Sequence, residues 1–285
     1  MMNTFLQHAL WGFGMLLLPV AGGMEAAAQE WRDLSTTRRV AGEERVDLQV
    51  KYGAGRIVVE PGSADALYRM RLRYDGEIFQ PLNQFTDGRA LLGVETVSGR
   101  ISMRRQGSGG EMDLALGTAV PTALVLEFGA VRADLELGGV PLESLELKTG
   151  ASESRLDVSQ ANPVVMNHAR LEVGAASFIA RNLGQLNARS LQVEAGVGDL
   201  KLGFGPLLQE ESKASVRLGL GSVELSFTRD TGVRIIRNTL LTSFDSEGLV
   251  KEGNQYTSPN WASAQRRITL ELDAAFGSVS VVWDR

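Results

Sequence analysis

Hydrophobic and polar residues alternate in short runs along most of the chain, and glycine interrupts these runs at nearly regular distances. In Leu145-Glu-Leu-Lys148 the two leucines face one side and the charged residues face the other, which is the two-residue period of a β-strand. After a glycine at position 150 the alternation resumes, with Leu156 and Val158 on the apolar side. Each phrase therefore predicts two short strands joined by a corner.

The same phrase occurs five times between Leu126 and Leu225, with a glycine at each corner. We call these residues the marker glycines; their spacings are 21, 24, 22 and 23 residues, and they are Gly129, Gly150, Gly174, Gly196 and Gly219. A near-constant period of about 22 residues is typical of a stacked array, because one coil cannot bury its inner face alone. Glycine is expected at the corner because it tolerates a left-handed backbone. The sequence predicts an all-β fold, a single-stranded β-solenoid.

The phrase weakens toward the C-terminus. Residues 233–244 predict a further coil with Ser243 near the marker position, and residues 245–264 predict a longer loop. The closing phrase, residues 272–281, carries Ala275 in place of the glycine. An exposed strand edge near residues 279–283 would allow pairing with another chain, so a homo-oligomer stays open.

Toward the N-terminus, Gly53 takes the marker position and an alternating strand follows over residues 67–74. We predict a β-rich capping subregion over residues 46–115 and the solenoid over residues 116–285. Residues 29–45 are polar and predict a flexible lead-in.

The first 28 residues predict an export signal. Residues 9–24 contain no charged side chain, and Ala26 and Ala28 supply the small residues that a signal peptidase needs, so cleavage is expected after Ala28. No Lys or Arg precedes the apolar stretch, so an uncleaved N-terminal anchor remains the alternative. No second apolar run of membrane-spanning length follows, and the prediction is an exported protein of the periplasm or cell surface.

The composition narrows the class of function. The chain of 285 residues has 44% hydrophobic and 22% charged residues, which is typical of a folded protein. Its formal net charge of −5 gives no support for nucleic-acid binding. It has no cysteine, so disulfides and thiol chemistry are excluded.

Candidate catalytic residues are sparse. After the export signal the only histidine is His168, which excludes a Cys-His pair, a two-histidine zinc site and the HExxH arrangement. We expect no enzyme, cofactor or metal. A polysaccharide-active enzyme is the alternative from another class, through outward-facing Asp134, Asp157 and Asp199. These lie five, seven and three residues after their marker glycines, so stacking into one cluster is not expected.

One strand carries a candidate ligand-binding face. Arg69, Arg71 and Arg73 share one side, opposite an apolar side that begins at Tyr68. This stripe could bind an anionic envelope polymer or lipid head groups. The alternative is a solvated strand face with counter-charges nearby.

The phrase GAGRIVVEPG, the strand LYRMRLRY and the recurring glycine phrases resemble the bacterial toast-rack family over residues 46–285. This family includes domains of LiaF-like cell-envelope stress-response proteins and related adhesin domains. The resemblance implies a β-solenoid and a non-enzymatic role in envelope stress sensing or regulation. This chain has an export signal where LiaF-like proteins carry membrane helices, which puts direct control of a membrane kinase in doubt. Binding of an envelope polymer or protein through the solenoid surface is the leading hypothesis, and an adhesin-like surface protein is the alternative.

Overall fold

The computed structural model describes residues 30–97 and 109–284, which form fifteen β-strands and a one-turn 3-10 helix, Leu183–Leu186. The first six strands lie at the N-terminal end: β1 (Trp31–Arg39), β2 (Val46–Pro61), β3 (Ala66–Asp75), β4 (Phe79–Thr86), β5 (Arg89–Thr96) and β6 (Gly110–Leu116). The next five are β7 (Thr122–Glu136), β8 (Leu142–Asp157), β9 (Met166–Arg181), β10 (Ala188–Gly203) and β11 (Glu211–Thr228). The last four are β12 (Gly232–Asp245), β13 (Val250–Glu252), β14 (Gln255–Thr257) and β15 (Arg267–Asp284).

Eight long strands lie side by side, all parallel, in the order β2-β7-β8-β9-β10-β11-β15-β12. We call this arrangement the parallel stack. The buried positions change phase across each marker glycine: in β10 Leu191 and Val193 are buried before Gly196, and Leu200 and Leu202 after it. Each strand therefore bends at the marker position, and its two halves face one interior.

The core is built from rows of apolar residues that the parallel register aligns. The row three residues before the marker position is fully buried in seven successive strands: Val50, Leu126, Leu147, Leu171, Val193, Val216 and Leu272. Full burial of one such side chain contributes about 1.5–3 kcal/mol. In β12 the same position is Arg237, opposite Leu272. The apolar row therefore ends at β12.

Two groups of strands extend the sheet from β2 at the N-terminal end of the parallel stack. Residues 47–51 of β2 pair with β5, which pairs with β4, while residues 55–61 pair with β6, followed by β3 and β1. The predicted flexible lead-in was wrong in part, because residues 31–39 form β1. Residues 46–59 of the predicted cap belong to the stack through pairing with β7. The predicted export signal, residues 1–28, lies outside the described residues.

The strand order at the C-terminal end differs from the order along the chain. The last strand, β15, lies between β11 and β12, because it pairs with both. Val279 is therefore paired on both sides, with Val223 and Phe244, so the predicted free edge was wrong for residues 279–280, whereas residues 281–283 pair with β11 alone. The outermost long strand of the stack is β12. The predicted marker position Ser243 was also wrong. The marker position of β12 is Leu240, because Thr239 and Leu241 pair with the two residues on either side of Ala275.

The marker glycines serve close packing and not a left-handed backbone. None of them, including Gly53, has a positive φ; the positive φ values at the corners occur two residues later, as at Gly221 (138°) and Gly277 (136°). A Cβ atom at Gly174 would lie 2.8 Å from the carbonyl oxygen of Gly150, and the other markers from Gly129 onward approach the preceding strand in the same way. A left-handed glycine does occur at several corners, as we expected, but it lies two residues after the marker glycine and not at the marker glycine itself.

Candidate binding groove along the corner

A shallow depression of about 730 Å³, largely open to solvent, runs along the corner of the parallel stack from β8 to β12, and we call it the groove. Its floor is the marker row, which carries side chains no larger than a methyl group over four strands: Gly174, Gly196, Gly219 and Ala275. Leu240 lines the end of the groove at β12. The close strand packing that requires glycine therefore also leaves the corner backbone open to a ligand.

Charged residues form one wall of the groove. They lie two residues before the marker position in five successive strands and face outward: Lys148, Glu172, Glu194, Arg217 and Asp273. Neighbouring strands are about 4.8 Å apart, so these side chains form a line along the stack. Two of these residues are positively charged and three are negatively charged, so the formal charges of the wall sum to only −1.

Hydrogen bonds hold the central charges of this wall in place. Arg217 Nη1 donates to Glu194 Oε1 at 2.8 Å and its Nε lies 3.5 Å from Asp273 Oδ2. Arg170 Nη2 lies 3.3 Å from the other oxygen of Glu194, and Gln192 Nε2 donates to Oε1 at 2.6 Å. Burial acts to raise the pKa of Glu194, but the hydrogen bonds from Gln192 and Arg217 outweigh it, so this pKa lies below its usual value. The hydrogen bond to Glu194 raises the pKa of Arg217.

An exposed apolar row follows the floor residues at the position after the marker. Its large members are Val197, Leu220, Phe276 and Leu241, with exposed fractions of 50%, 51%, 49% and 74%, and the register places them in adjacent strands. We call these four residues the apolar ridge. In β7, β8 and β9 the equivalent residues are Ala130, Ala151 and Ala175. Large exposed apolar side chains in one patch indicate an interaction surface.

The predicted arginine stripe lies on the N-terminal cap, away from this groove. Arg69, Arg71 and Arg73 are exposed and alternate with buried residues of β3. Acidic residues flank the stripe: Asp113 lies opposite Arg71, and Asp33 and Glu111 lie opposite Arg73. The guanidinium of Arg73 also lies 5.2 Å from the ring centroid of Trp31. The stripe is thus a face with counter-charges nearby, and its binding of an anionic ligand stays a prediction.

The carboxylates considered for sugar chemistry lie in separate rows. Asp134 Oδ1 is 3.6 Å from Arg155 Nη1, Asp157 accepts a hydrogen bond from Asn182 at 2.8 Å, and Asp199 accepts one from Ser222 at 2.6 Å. His168 is exposed on β9, opposite Ser190 of β10.

Within residues 30–97 and 109–284, no three histidine, aspartate or glutamate side chains are grouped to hold a metal ion. In the same ranges, no helix has the length and apolar character needed to cross a membrane.

The groove was not predicted from the sequence, although the sequence contains a signal for it. A charged residue stands two positions before the marker residue in seven strands: Lys51, Glu127, Lys148, Glu172, Glu194, Arg217 and Asp273. A charged residue two positions before a glycine or alanine, repeated in these seven strands, predicts a polar wall beside an open floor. The prediction of the coils used only the apolar alternation and the spacing of the glycines.

A solved structure shares the fold of this chain at low sequence identity. A putative cell adhesion protein from Clostridium sporogenes ATCC 15579 is 16% identical, with a TM-score of 0.50, and the match covers 90% of this chain and 100% of that chain. A putative adhesin from Bacteroides fragilis NCTC 9343 is 9% identical over 90% of this chain and 98% of that chain, with a TM-score of 0.37. No curated protein matches the sequence.

One family of sequences matches more than half of the chain. The family described as the N-terminal domain of toast_rack, DUF2154, matches residues 27–178. This range runs from the start of the described chain through most of β9, so it includes the N-terminal cap and the first three coils that follow it. The resemblance to the toast-rack family is confirmed, and the chain belongs to the family of the toast_rack N-terminal domain.

Proposed function

We propose that this chain is a non-enzymatic, exported cell-envelope protein that binds an extended envelope polymer or protein along the corner groove. The observation that carries the proposal is the groove itself, with an open backbone floor and a wall of fixed charges. It crosses six strands, which at about 4.8 Å each gives a length of roughly 24 Å. An extended chain fits such a site better than a small molecule does.

The repeat and the parallel register support describing the parallel stack as a β-solenoid. Stacked repeats present long surfaces that suit extended partners. Because the wall carries both signs, with its charges fixed by ion pairs, it favours a ligand with alternating hydrogen-bond donors and acceptors over a simple polyanion. The proposed binding could serve envelope stress sensing or adhesion.

Adhesion is the alternative role. The Clostridium protein with a TM-score of 0.50 carries a description as a putative cell adhesion protein. Proteins with the same fold can have different functions, so the hypothesis of an adhesin-like protein needs a functional test. Attachment of cells that is lost on deletion of the protein would favour adhesion, and changed sensitivity to cell-wall antibiotics would favour stress sensing.

Co-sedimentation of residues 29–285 with purified peptidoglycan sacculi tests the proposed binding. We expect binding that falls several-fold in the double variant Lys148→Ala/Arg217→Ala, because both residues line the groove. The matched control is Arg132→Ala/Arg155→Ala, which removes two exposed, ion-paired arginines from the other half of β7 and β8. Equal binding of the two double variants, or no binding by the unmodified protein, would contradict the proposal.

The non-enzymatic part of the proposal has its own test. Release of reducing ends from envelope or plant glycans should not exceed the buffer background. Turnover that disappears in Asp134→Asn, Asp157→Asn or Asp199→Asn would replace the binding proposal with an enzymatic one.

A further inference from the structure

The parallel stack ends in an unpaired strand edge at β12. On one side β12 pairs with β15 along residues 232–245. On the other side β14 pairs only with residues 234–236, and the carbonyl of Asn254 accepts a hydrogen bond from the Arg237 amide. Among the described strands, none pairs with residues 238–245 on this side. The Thr242 carbonyl accepts a hydrogen bond from the Arg237 side chain, and the other backbone groups of this segment have no strand partner on this side among the described strands. Such a row of backbone donors and acceptors is a template for another β-strand.

The side chains at this edge are unusually apolar for a solvated strand. Leu240 and Leu241 are 79% and 74% exposed, more than the other large hydrophobic residues of the described chain. Leu241 belongs to the apolar ridge and lies next to Phe276 in β15, and Phe276 lies next to Leu220 in β11. The unpaired backbone and the apolar ridge therefore meet at one place, and a strand added there would cover both.

The charges of the segment indicate which strand fits. Residues 238–244 (Asn-Thr-Leu-Leu-Thr-Ser-Phe) carry no charge, while Arg237 precedes them and Asp245 follows them. Two copies of this segment in antiparallel pairing place Arg237 of each copy opposite Asp245 of the other. Parallel pairing would place like charges together, which is destabilising. Arg237 stays at this edge because its Nη2 donates to the Thr242 carbonyl at 2.9 Å and its guanidinium lies 5.3 Å from the Phe244 ring centroid.

We propose that β12 is a self-association surface, at which two copies of the chain pair antiparallel along residues 238–244 about a two-fold axis at Leu241. The interface is isologous, so it closes at a dimer. It goes beyond the proposed function, because it needs no ligand in the groove. Since Leu240 lines the end of the groove at β12, the dimer brings the ends of two grooves together.

The first test compares the mass of the protein in solution with that of two lysine variants, by light scattering after size exclusion over a range of concentrations. We expect a dimer for the unmodified protein and a monomer for Leu241→Lys, because an exposed lysine blocks edge pairing. The matched control is Val197→Lys, which changes an exposed residue of the same ridge three strands away from the edge. This variant should remain a dimer.

The second test uses the absence of cysteine from the chain. Residues opposite each other in antiparallel strands have Cα atoms about 4.5–5.5 Å apart, within the range that a disulfide spans. Under mild oxidation, Leu241→Cys should give a disulfide-linked dimer, and Val197→Cys should not. A monomeric unmodified protein, dimers that persist in Leu241→Lys, or equal cross-linking of the two cysteine variants would overturn the proposal. Circular dichroism and the thermal midpoint of each variant show whether it has folded.

Discussion

Gly219 and Gly53 occupy the same position in the repeat but have different surroundings. A Cβ atom at Gly219 would lie 2.5 Å from the carbonyl oxygen of Gly196 on the preceding strand. At Gly53, which has no parallel strand before it at the corner, the same atom would meet only a ring carbon of Phe79 at 3.8 Å. Backbone cannot yield as a flexible side chain does, so the two glycines differ in what they tolerate.

We therefore predict opposite effects of alanine at these two sites. Gly219→Ala should lower the free energy of unfolding by about 1–3 kcal/mol, because the neighbouring strands must shift to accept the methyl group. Gly53→Ala should be neutral or should raise it by about 0.4–1 kcal/mol, because alanine restricts the unfolded chain more than glycine does. Urea denaturation of both variants measures the difference, and equal losses would show that the close approach is unimportant.

Asn162 links three segments through one buried amide. It is 2% exposed; its Nδ2 donates to the carbonyls of Leu142 at 2.8 Å and Leu186 at 3.0 Å. Its Oδ1 accepts hydrogen bonds from the amides of Leu142 and Val164, both at 3.0 Å. The side chain therefore satisfies backbone groups where the connections between successive coils turn.

Removal of this amide should be costly. We predict that Asn162→Ala lowers the free energy of unfolding by about 2–4 kcal/mol, because it leaves buried backbone groups without partners. Gln185→Ala is the control: its side chain is exposed and makes one hydrogen bond, to the carbonyl of Pro206 at 3.2 Å. Its loss should stay below about 1 kcal/mol. Similar losses in the two variants would contradict the role of Asn162.

Among the strands, the positions of the elements were predictable but their order was not. Alternation and the marker row locate the strands from β7 to β11, because both depend on local side-chain pattern. The insertion of β15 between β11 and β12 depends on which backbone edges meet, and residues 246–266 are long enough to allow either order. Arg237 was the available signal: a charge at the fully buried row fits the end of a stack and not its interior.

Arg237 occupies the row that is apolar in the other strands of the stack, and we predict that its charge prevents uncontrolled association at the β12 edge. Natural sheets place charged residues at edges to prevent further pairing. In Arg237→Leu the pairs with Asp245 that fix the direction and register of the dimer are lost, so we expect unspecific pairing of β12 edges and visible light scattering at concentrations where the unmodified protein stays clear. Arg266→Leu, which also adds an exposed leucine, should not scatter. A clear solution of Arg237→Leu would show that the charge only fills the end of the core.

The family and the array were predictable from the sequence, because the period survives along most of the chain. The groove was harder to predict, since its floor consists of three glycines and one alanine, which offer no side chain larger than a methyl group. We expected the marker glycines to adopt a left-handed backbone, and a glycine required for that conformation does not predict an open surface. A glycine required by close packing of neighbouring backbones does predict one, because no side chain covers the backbone there. The Arg69–Arg73 alternation was predictable in geometry, but its acidic neighbours come from β1 and β6, which only the fold brings together.

The charged wall also links groove geometry to the stability of the chain at low pH. Glu194 has a pKa below its usual value in the folded protein, since the hydrogen bonds from Gln192 and Arg217 outweigh the effect of burial. A lowered folded pKa contributes stability that is present above the unfolded pKa and is lost as the pH falls through the folded pKa. The side chains of Glu194 and Arg217 are 31% and 53% exposed, so the contribution should be about 0.2–1 kcal/mol.

We predict that Glu194→Gln is less stable than the unmodified protein at neutral pH. This difference should disappear as the pH falls through the lowered pKa of Glu194, because protonation then leaves both proteins uncharged at this position. Denaturation at a series of pH values measures the convergence. Glu224→Gln, which removes a carboxylate paired with Lys201 in the other half of β11, controls for the loss of one negative charge. A difference that stays constant with pH would show that packing of Glu194, and not its charge, stabilises the wall. If the two stabilities converge at low pH and Glu194→Gln also binds sacculi less well at neutral pH, then the charge of Glu194 contributes both to stability and to binding of the proposed ligand.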